Sequence, residues 1–345
     1  MKGVTIYTAG AALLALFIVK YILAGLLNPL SPIPGPWYTR FSTLPSKWHR
    51  LRGTKIVWVD SLHRRYGPIV RVDAGQVAIA EPAFWDAVGR VGGGFRKTPF
   101  HERIRIGPEH FLFSMTDAKA HAARRRLFAR ALTADALRRN WEPRWLRDVV
   151  GANKVIAEKG TIAVRNLRAT GLDRPNLFSN MLAEAEKAPD GDGTGDDDVD
   201  GDAHRLTDDA IRSEVAGFLL AGSDTTSMAL TYTVWAVLRH PDLQRRLEHE
   251  LAGLPAAFSD RDLEALPLLG NVLDEALRLY SPGSPGILRL PPREGMTWRG
   301  YFIPGDTQVL AQQWTLVRDH ALFPDPERFD ETRFEQPAEG ARRIA

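Results

Sequence analysis

Phe218-Leu-Leu-Ala-Gly-Ser-Asp-Thr-Thr-Ser-Met-Ala-Leu230 sets a polar hexad between apolar residues. It lies inside a helical pattern predicted to run from Thr207 to His240. Thr207 is a good N-cap, Asp208 and Asp209 suit the positive end of the helix dipole, and Pro241 stops the run. Val215, Phe218, Leu219, Met228, Leu230, Val234, Val237 and Leu238 are apolar, and few charges separate Glu214 from Arg239. The helix is therefore expected to be buried on most sides. Its middle nevertheless holds Gly222, Ser223, Asp224, Thr225 and Thr226, residue types that weaken a helix interior. An acid and hydroxyls at the centre of a buried helix break a local rule, and such places are usually functional.

Downstream, Pro241 at N1 starts a helix over Asp242 to Leu251, and Leu268 to Tyr280 forms another. The second contains Glu275-Ala-Leu-Arg278, whose acid and base share a face at i,i+3 spacing. Ser281-Pro-Gly-Ser-Pro-Gly286 breaks the helix, and Ile287-Leu-Arg-Leu290 follows as a strand carrying Arg289. Trp298 to Pro304 and Thr307 to Gln312 read as further short strands around Gly305-Asp306. Upstream, Ile69 to Ala80 reads as two strands around a turn at Asp73 to Gly75, and Glu81-Pro82 opens a helix through about Val88. A helix capped by Asp117 continues to Arg130, with His121 and Arg125 one turn apart on one face.

In this order the pieces resemble the cytochrome P450 family of haem-thiolate monooxygenases. Ala221-Gly222-Ser223-Asp224-Thr225-Thr226 matches the family's oxygen-binding signature. The resemblance implies that Ala221 and Gly222 border a groove for dioxygen over the haem, which a residue without a Cβ helps to open. It assigns proton delivery to Asp224 and Thr225. His121 and Arg125 stand where the family carries Trp-x-x-x-Arg for a haem propionate, with His keeping a donor but losing the larger ring. Arg289 matches the second propionate-binding arginine. Glu275 and Arg278 match a Glu-x-x-Arg pair that the family ties to a later arginine. Pro326-Glu-Arg-Phe329 is the literal match for that later motif, but Phe323-Pro-Asp-Pro-Glu-Arg-Phe329 fits the lead-in before it. Glu331-Thr-Arg-Phe334 is then the motif and Arg333 the third partner, although Glu331 and Thr332 depart from the usual residues.

Composition sets the limits. The chain has 345 residues, with Lys+Arg 45 against Asp+Glu 42, a balance that does not single out nucleic acid as a partner. It contains no cysteine, which excludes disulfides and any zinc or iron–sulfur site built on thiolates. The family's single cysteine ligand sits in a glycine-rich loop shortly after the position of the Arg333 motif. The sequence ends at Ala345 without that loop, so no metal ligand is assigned.

At the other end, Val4 to Leu27 is almost continuously apolar with Lys20 its only charge, long enough to cross a bilayer. Residues 1–28 are read as a membrane anchor and 29–37, with Pro29, Pro32, Pro34 and Pro36, as a stiff, extended hinge. Arg40, Lys47, Arg50 and Arg52 outweigh Lys2, which places residues 38–345 on the cytosolic side. The middle is thin. Trp141 to Val150 and Lys154 to Ala169 look helical, yet the family places more helices there, so the chain reads as shortened near 149–171. Pro189 to Asp202, almost all Asp and Gly, reads as a solvated loop whose spacing does not match a calcium-binding EF-hand.

The expected fold is mainly α with small β-sheets, an incomplete P450-type domain behind an N-terminal transmembrane helix. The expected function is haem b-dependent monooxygenation of a small lipophilic substrate by dioxygen, in secondary metabolism. NADPH electrons would arrive through a separate NADPH-dependent cytochrome reductase. The expected location is a single-pass attachment to the endoplasmic reticulum membrane, with the catalytic part in the cytosol. Without a thiolate the 345 residues themselves are expected to be inactive. The alternative is a catalytically dead, membrane-bound relic or the product of a mispredicted gene.

Overall fold

The computed structural model describes residues 15–16, 18–104, 106, 109–129, 165, 207–283, 285–337 and 341–344. Helices begin where the sequence supplies a cap or a proline. Asp117 Oδ1 accepts the Ala120 N–H at 2.7 Å, and Thr207 Oγ1 accepts the Ala210 N–H at 3.0 Å. Prolines occupy the first turn at Pro45, Pro82, Pro99, Pro241 and Pro267.

In chain order the elements are α1 (Leu44–Leu51), α2 (Lys55–Tyr66), β1 (Ile69–Asp73), β2 (Gln76–Ile79), α3 (Pro82–Gly89), α4 (Pro99–Glu102) and α5 (Ala118–Ala129). Then come α6 (Asp208–Leu238), α7 (Pro241–Ala252), α8 (Asp260–Glu264), α9 (Pro267–Tyr280), β3 (Ile287–Arg289), β4 (Met296–Trp298), β5 (Tyr301–Ile303), β6 (Gln308–Ala311), α10 (Gln313–Leu316) and α11 (Ala341–Ile344). Among the described residues helix dominates, with two small sheets. The contacts divide into two compact units: Met1–Arg96 with Tyr232–Gly253 and Glu264–Ala345, and Lys97–Thr231 with Leu254–Leu263. The frame of α6 passes from one to the other.

The larger sheet belongs to the first unit and has the order β1-β2-β6-β3. β2 is antiparallel to β1 but parallel to β6, with Gln76 opposite Gln308 and Ile79 opposite Ala311. A parallel pair joining residues so far apart makes this sheet a long-range clasp. Val77, Ile79, Val309 and Ala311 are fully buried and pack with Leu30, Ile33 and Phe84. β4 and β5 form a separate hairpin. Here the structure corrects the sequence: Trp298 to Pro304 is not one strand but the end of β4, a turn and β5. The turn residues Arg299 and Gly300 both have positive φ, of 48° and 79°. Arginine rarely adopts that conformation. Glu81 holds it there, accepting from the Arg299 guanidinium and from Trp298 Nε1–H at 3.3 Å.

The proline-rich hinge differs from expectation as well. It is a series of turns wrapped on the core, not an extended spacer: Ser31 N–H donates to Asn28 O at 2.8 Å and Ile33 N–H to Leu30 O at 3.1 Å. The cause is Arg71, fully buried on β1. Its guanidinium donates to the carbonyls of Leu30, Ser31, Ile33 and Pro36 and to Thr39 Oγ1, at 2.6 to 3.2 Å. A buried guanidinium needs acceptors for five N–H groups, and a chain bent around it supplies them. Burial lowers the Arg71 pKa to about 10.

Ahead of the hinge, residues 18–26 are helical, and Ile18, Val19, Tyr21, Ile22, Leu23 and Leu26 are exposed. Among the described residues no helix is long and apolar enough to cross a membrane. Residues 1–14 and Phe17 of the expected anchor lie outside the described residues, as do the helix expected over Trp141 to Val150, all but Arg165 of the helix expected over Lys154 to Ala169 and of the shortened region near 149–171, and the acidic stretch at Pro189 to Asp202.

Candidate active site

Within the Lys97–Thr231 unit, α6 is anchored at its N-terminal third. Ala210, Ile211, Val215 and Ala216 are buried, and Phe128 of α5 meets Phe218 edge-on at 5.1 Å. Gly217 permits the closest approach, since a Cβ there would stand 2.3 Å from the Phe111 ring. Glu214, wholly buried, accepts the Leu112 N–H at 3.0 Å and the Arg124 guanidinium at 3.2 Å. It joins three segments of the unit: α6, α5 and the loop at 109–114. Burial pushes its carboxyl above the ordinary value, opposed by the Leu112 N–H and Arg124. Sequence reasoning missed this pair; the only signal was an acid in the apolar part of α6.

Beyond Leu220 the helix emerges. Ala221, Gly222, Asp224, Thr225 and Thr226 are exposed, as are Met228, Leu230 and Val234 further along. The expectation of burial on most sides holds for only part of α6. The physical reason is that the described residues pack the helix near its two ends, at Ala210 to Ala216 and again at Ala236, and leave its polar centre without a cover. The helix runs unbroken across Gly222, which faces open space. Thr225 Oγ1–H donates to the Ala221 carbonyl at 2.6 Å, and Ser227 to the Asp224 carbonyl at 3.2 Å. Such side-chain bonds occupy helix carbonyls at the centre of the signature. The arrangement presents an exposed carboxylate, a hydroxyl and a position with no Cβ along consecutive residues. In the same unit, His121 and Arg125 lie on α5, His121 half-buried and Arg125 exposed.

The other unit holds the charge cluster. Arg278 grips Glu275 through two bonds, Nε to Oε2 at 2.6 Å and Nη2 to Oε1 at 2.8 Å, with both side chains fully buried. Its remaining donors meet the carbonyls of Val317 at 2.6 Å and Pro326 at 2.8 Å. Glu275 Oε1 also accepts the Asp330 N–H at 2.9 Å and lies 3.5 Å from Arg333 Nε. Arg333 in turn donates to the carbonyls of Pro324 and, at 2.8 Å, Asp325. The structure thus brings Glu275, Arg278 and Arg333 together. Arg328 of the literal match points elsewhere, to Asp330 at 3.0 Å, and is mostly exposed. The cluster sets the positions of α9 and the 324–333 loop.

Arg289, on β3 of the same unit, is half-buried, and its guanidinium donates to Leu288 O at 2.9 Å. Among the described residues it has no carboxylate partner, and burial lowers its pKa. A partly desolvated cation with no acid beside it fits an anionic group on a ligand. Such an anionic group could be the propionate of a haem; a thiolate ligand is not among the 345 residues.

A family model described as cytochrome P450 matches residues 174–343. The chain is 33% identical to the cytochrome P450 monooxygenase stcB of Emericella nidulans, over 89% of this chain and 74% of that protein. It is 31% identical to the cytochrome P450 monooxygenase aflV of Aspergillus parasiticus, over 94% of this chain and 80% of that one. The alignment with stcB spans 382 positions, more than the whole of this chain, so the relative carries residues within the aligned stretch that this chain lacks. Among solved structures, a zebra fish cytochrome P450 with abiraterone has a TM-score of 0.61 at 18% identity, covering 82% of this chain and 83% of that one. Retinoic acid bound cyanobacterial CYP120A1 has a TM-score of 0.56 at 19% identity, covering 90% and 83%.

Proposed function

The chain belongs to the cytochrome P450 family, and from that premise we propose that it serves the oxidation of a small lipophilic molecule, in fungal-type secondary metabolism. By family it is a haem-dependent monooxygenase, an oxidoreductase supplied with NADPH electrons by a reductase. The observation that carries the finer reading is the centre of α6, where Asp224 and Thr225 stand exposed beside Ala221 and Gly222.

Haem, when bound, supplies the activation of dioxygen. The residues of this chain do the rest. Asp224, exposed to water, exchanges protons with solvent. Thr225 Oγ, whose proton is engaged by the Ala221 carbonyl, keeps its lone pairs free to accept from a water and pass a proton on by rotation. Arg289 would hold a haem propionate, His121 and Arg125 are propionate candidates by resemblance, and Glu275, Arg278 and Arg333 would keep the supporting loop in place. The exposed apolar helix at residues 18–26 supports a single-pass anchor in the endoplasmic reticulum membrane with the catalytic part in the cytosol. For lack of a thiolate, the 345 residues by themselves carry no monooxygenase activity.

A haem titration followed by Soret absorbance tests the propionate assignment. Arg289→Ala is expected to weaken haem uptake about tenfold or more, the loss of a charge-assisted hydrogen bond of about 1.5–3 kcal/mol. Unchanged uptake in Arg289→Ala would remove Arg289 from the site.

A further inference from the structure

Three aromatic rings meet where the C-terminal part of α6 packs on α9. Tyr232 stacks on Tyr280 with ring centroids 5.1 Å apart and planes 17° from parallel. Trp235, one turn along from Tyr232, meets Tyr280 edge-on at 5.8 Å and Tyr232 edge-on at 6.5 Å. The Arg239 guanidinium lies 5.1 Å over the Trp235 ring. Water reaches the group: Tyr232 is 40% and Trp235 45% exposed, and Tyr280 is half-buried. Beside the rings, Ala236 of α6 and Ala276 and Leu279 of α9 are buried in one cluster, which fixes the spacing of the two helices. Among the described residues this is the one stacked pair of tyrosines.

We propose that Tyr232 and Tyr280 form an oxidative cross-linking site, where a one-electron oxidant joins the two rings into a dityrosine that ties α6 to α9. Each phenol loses one electron to the oxidant and one proton to water. The two phenoxyl radicals join through their ortho carbons, and the hydrogens on those carbons move to the oxygens to restore both phenols. The net change is one C–C bond formed, two hydrogens lost and two equivalents of oxidant reduced. Rings already stacked need little motion to react, and the buried cluster supplies the alignment in advance. Trp235 is the competing electron donor. Its radical cation would lie under the Arg239 charge, and that like-charge repulsion leaves the tyrosines as the place where the radicals collect. Peroxide that escapes a haem monooxygenase and returns to the haem is an oxidant of this class, reduced to water by the two electrons and two protons. In that respect alone the inference rests on the function proposed above.

The experiment supplies its own oxidant, so its outcome does not depend on haem. The full chain, in dilute solution, is illuminated with tris(bipyridine)ruthenium and persulfate. It is expected to gain the blue fluorescence of dityrosine while still running as a monomer on a denaturing gel. Peptide mass spectrometry is expected to find Tyr232 joined to Tyr280 with two hydrogens lost. Tyr232→Phe and Tyr280→Phe each keep a ring in the stack and remove only a hydroxyl. Either one should lower the fluorescence at least about tenfold, because the remaining tyrosine has no partner held beside it. Undiminished fluorescence in both variants, or a link found only between separate chains, overturns the proposal. Oxygen added to Trp235 with the two tyrosines unjoined overturns it as well, and makes Trp235 the oxidised site.

Discussion

Two buried glutamates, one in each unit, are held in different ways. Glu275 has an arginine on both oxygens, a second arginine 3.5 Å away and a backbone N–H. Glu214 has one arginine on one oxygen and one backbone N–H on the other. Around Glu275 the donors are numerous enough to hold a fully buried carboxylate. Around Glu214 burial wins, and the pKa rises. The lesson is that a buried carboxylate is as good a structural tie as its donors are many.

Glu275→Ala should give the largest effect. It strands Arg278 and Arg333 in a dry site and is expected to cost about 3–5 kcal/mol in denaturant titrations. A loss below 1 kcal/mol would mean that the cluster does not hold its loop. Gly217→Ala comes next, because a Cβ there meets the Phe111 ring at 2.3 Å. Overpacking of this kind costs about 1–3 kcal/mol, and trimming Phe111 to Leu in the same chain should recover part of it.

Arg333→Gln removes the cation 3.5 Å from Glu275 and the bonds to Pro324 and Asp325, at a cost of about 1–2 kcal/mol, which thermal melting can read. Arg328→Gln, on the literal sequence match, should cost less than about 0.5 kcal/mol, since its pair with Asp330 is mostly exposed. The reverse order would reassign the third partner.

Glu214→Gln should be the mildest of the buried changes, about 1 kcal/mol or less at neutral pH, because the amide spares the helix a disfavoured charge. A carboxyl whose folded pKa is raised stabilises the fold most when protonated. The wild-type chain should therefore gain stability relative to Glu214→Gln as pH falls from neutral through the raised value toward the ordinary carboxylate range. A wild type that instead loses stability relative to the variant over that window would show that Arg124 outweighs burial.

The same contrast explains what the sequence could reveal. Glu275 and Arg278 sit three apart on one helix, and Arg333 follows a recognisable lead-in, so the cluster could be assembled from spacing and resemblance. Thr207, Asp117 and the proline starts were legible because capping is local. Glu214 and Arg124 lie on different helices, and nothing in one strand of letters pairs them. The four carbonyls around Arg71 were equally hidden, which is why the hinge read as a stiff, extended connector. The Arg299–Gly300 turn escaped because its first residue is held at positive φ by Glu81, far away in sequence. The open middle of α6 escaped because burial depends on neighbours that periodicity cannot supply.

We propose that this chain carries distal and propionate-side residues of a haem monooxygenase, while its 345 residues hold no thiolate. The reduced, carbon monoxide-treated chain loaded with haem tests it in one spectrum. No red-shifted Soret band of a thiolate-ligated haem is expected, and one should appear once the cysteine-bearing segment of a fungal relative is grafted after Ala345. A red-shifted band from the ungrafted chain would overturn this assignment, since no residue here could produce one.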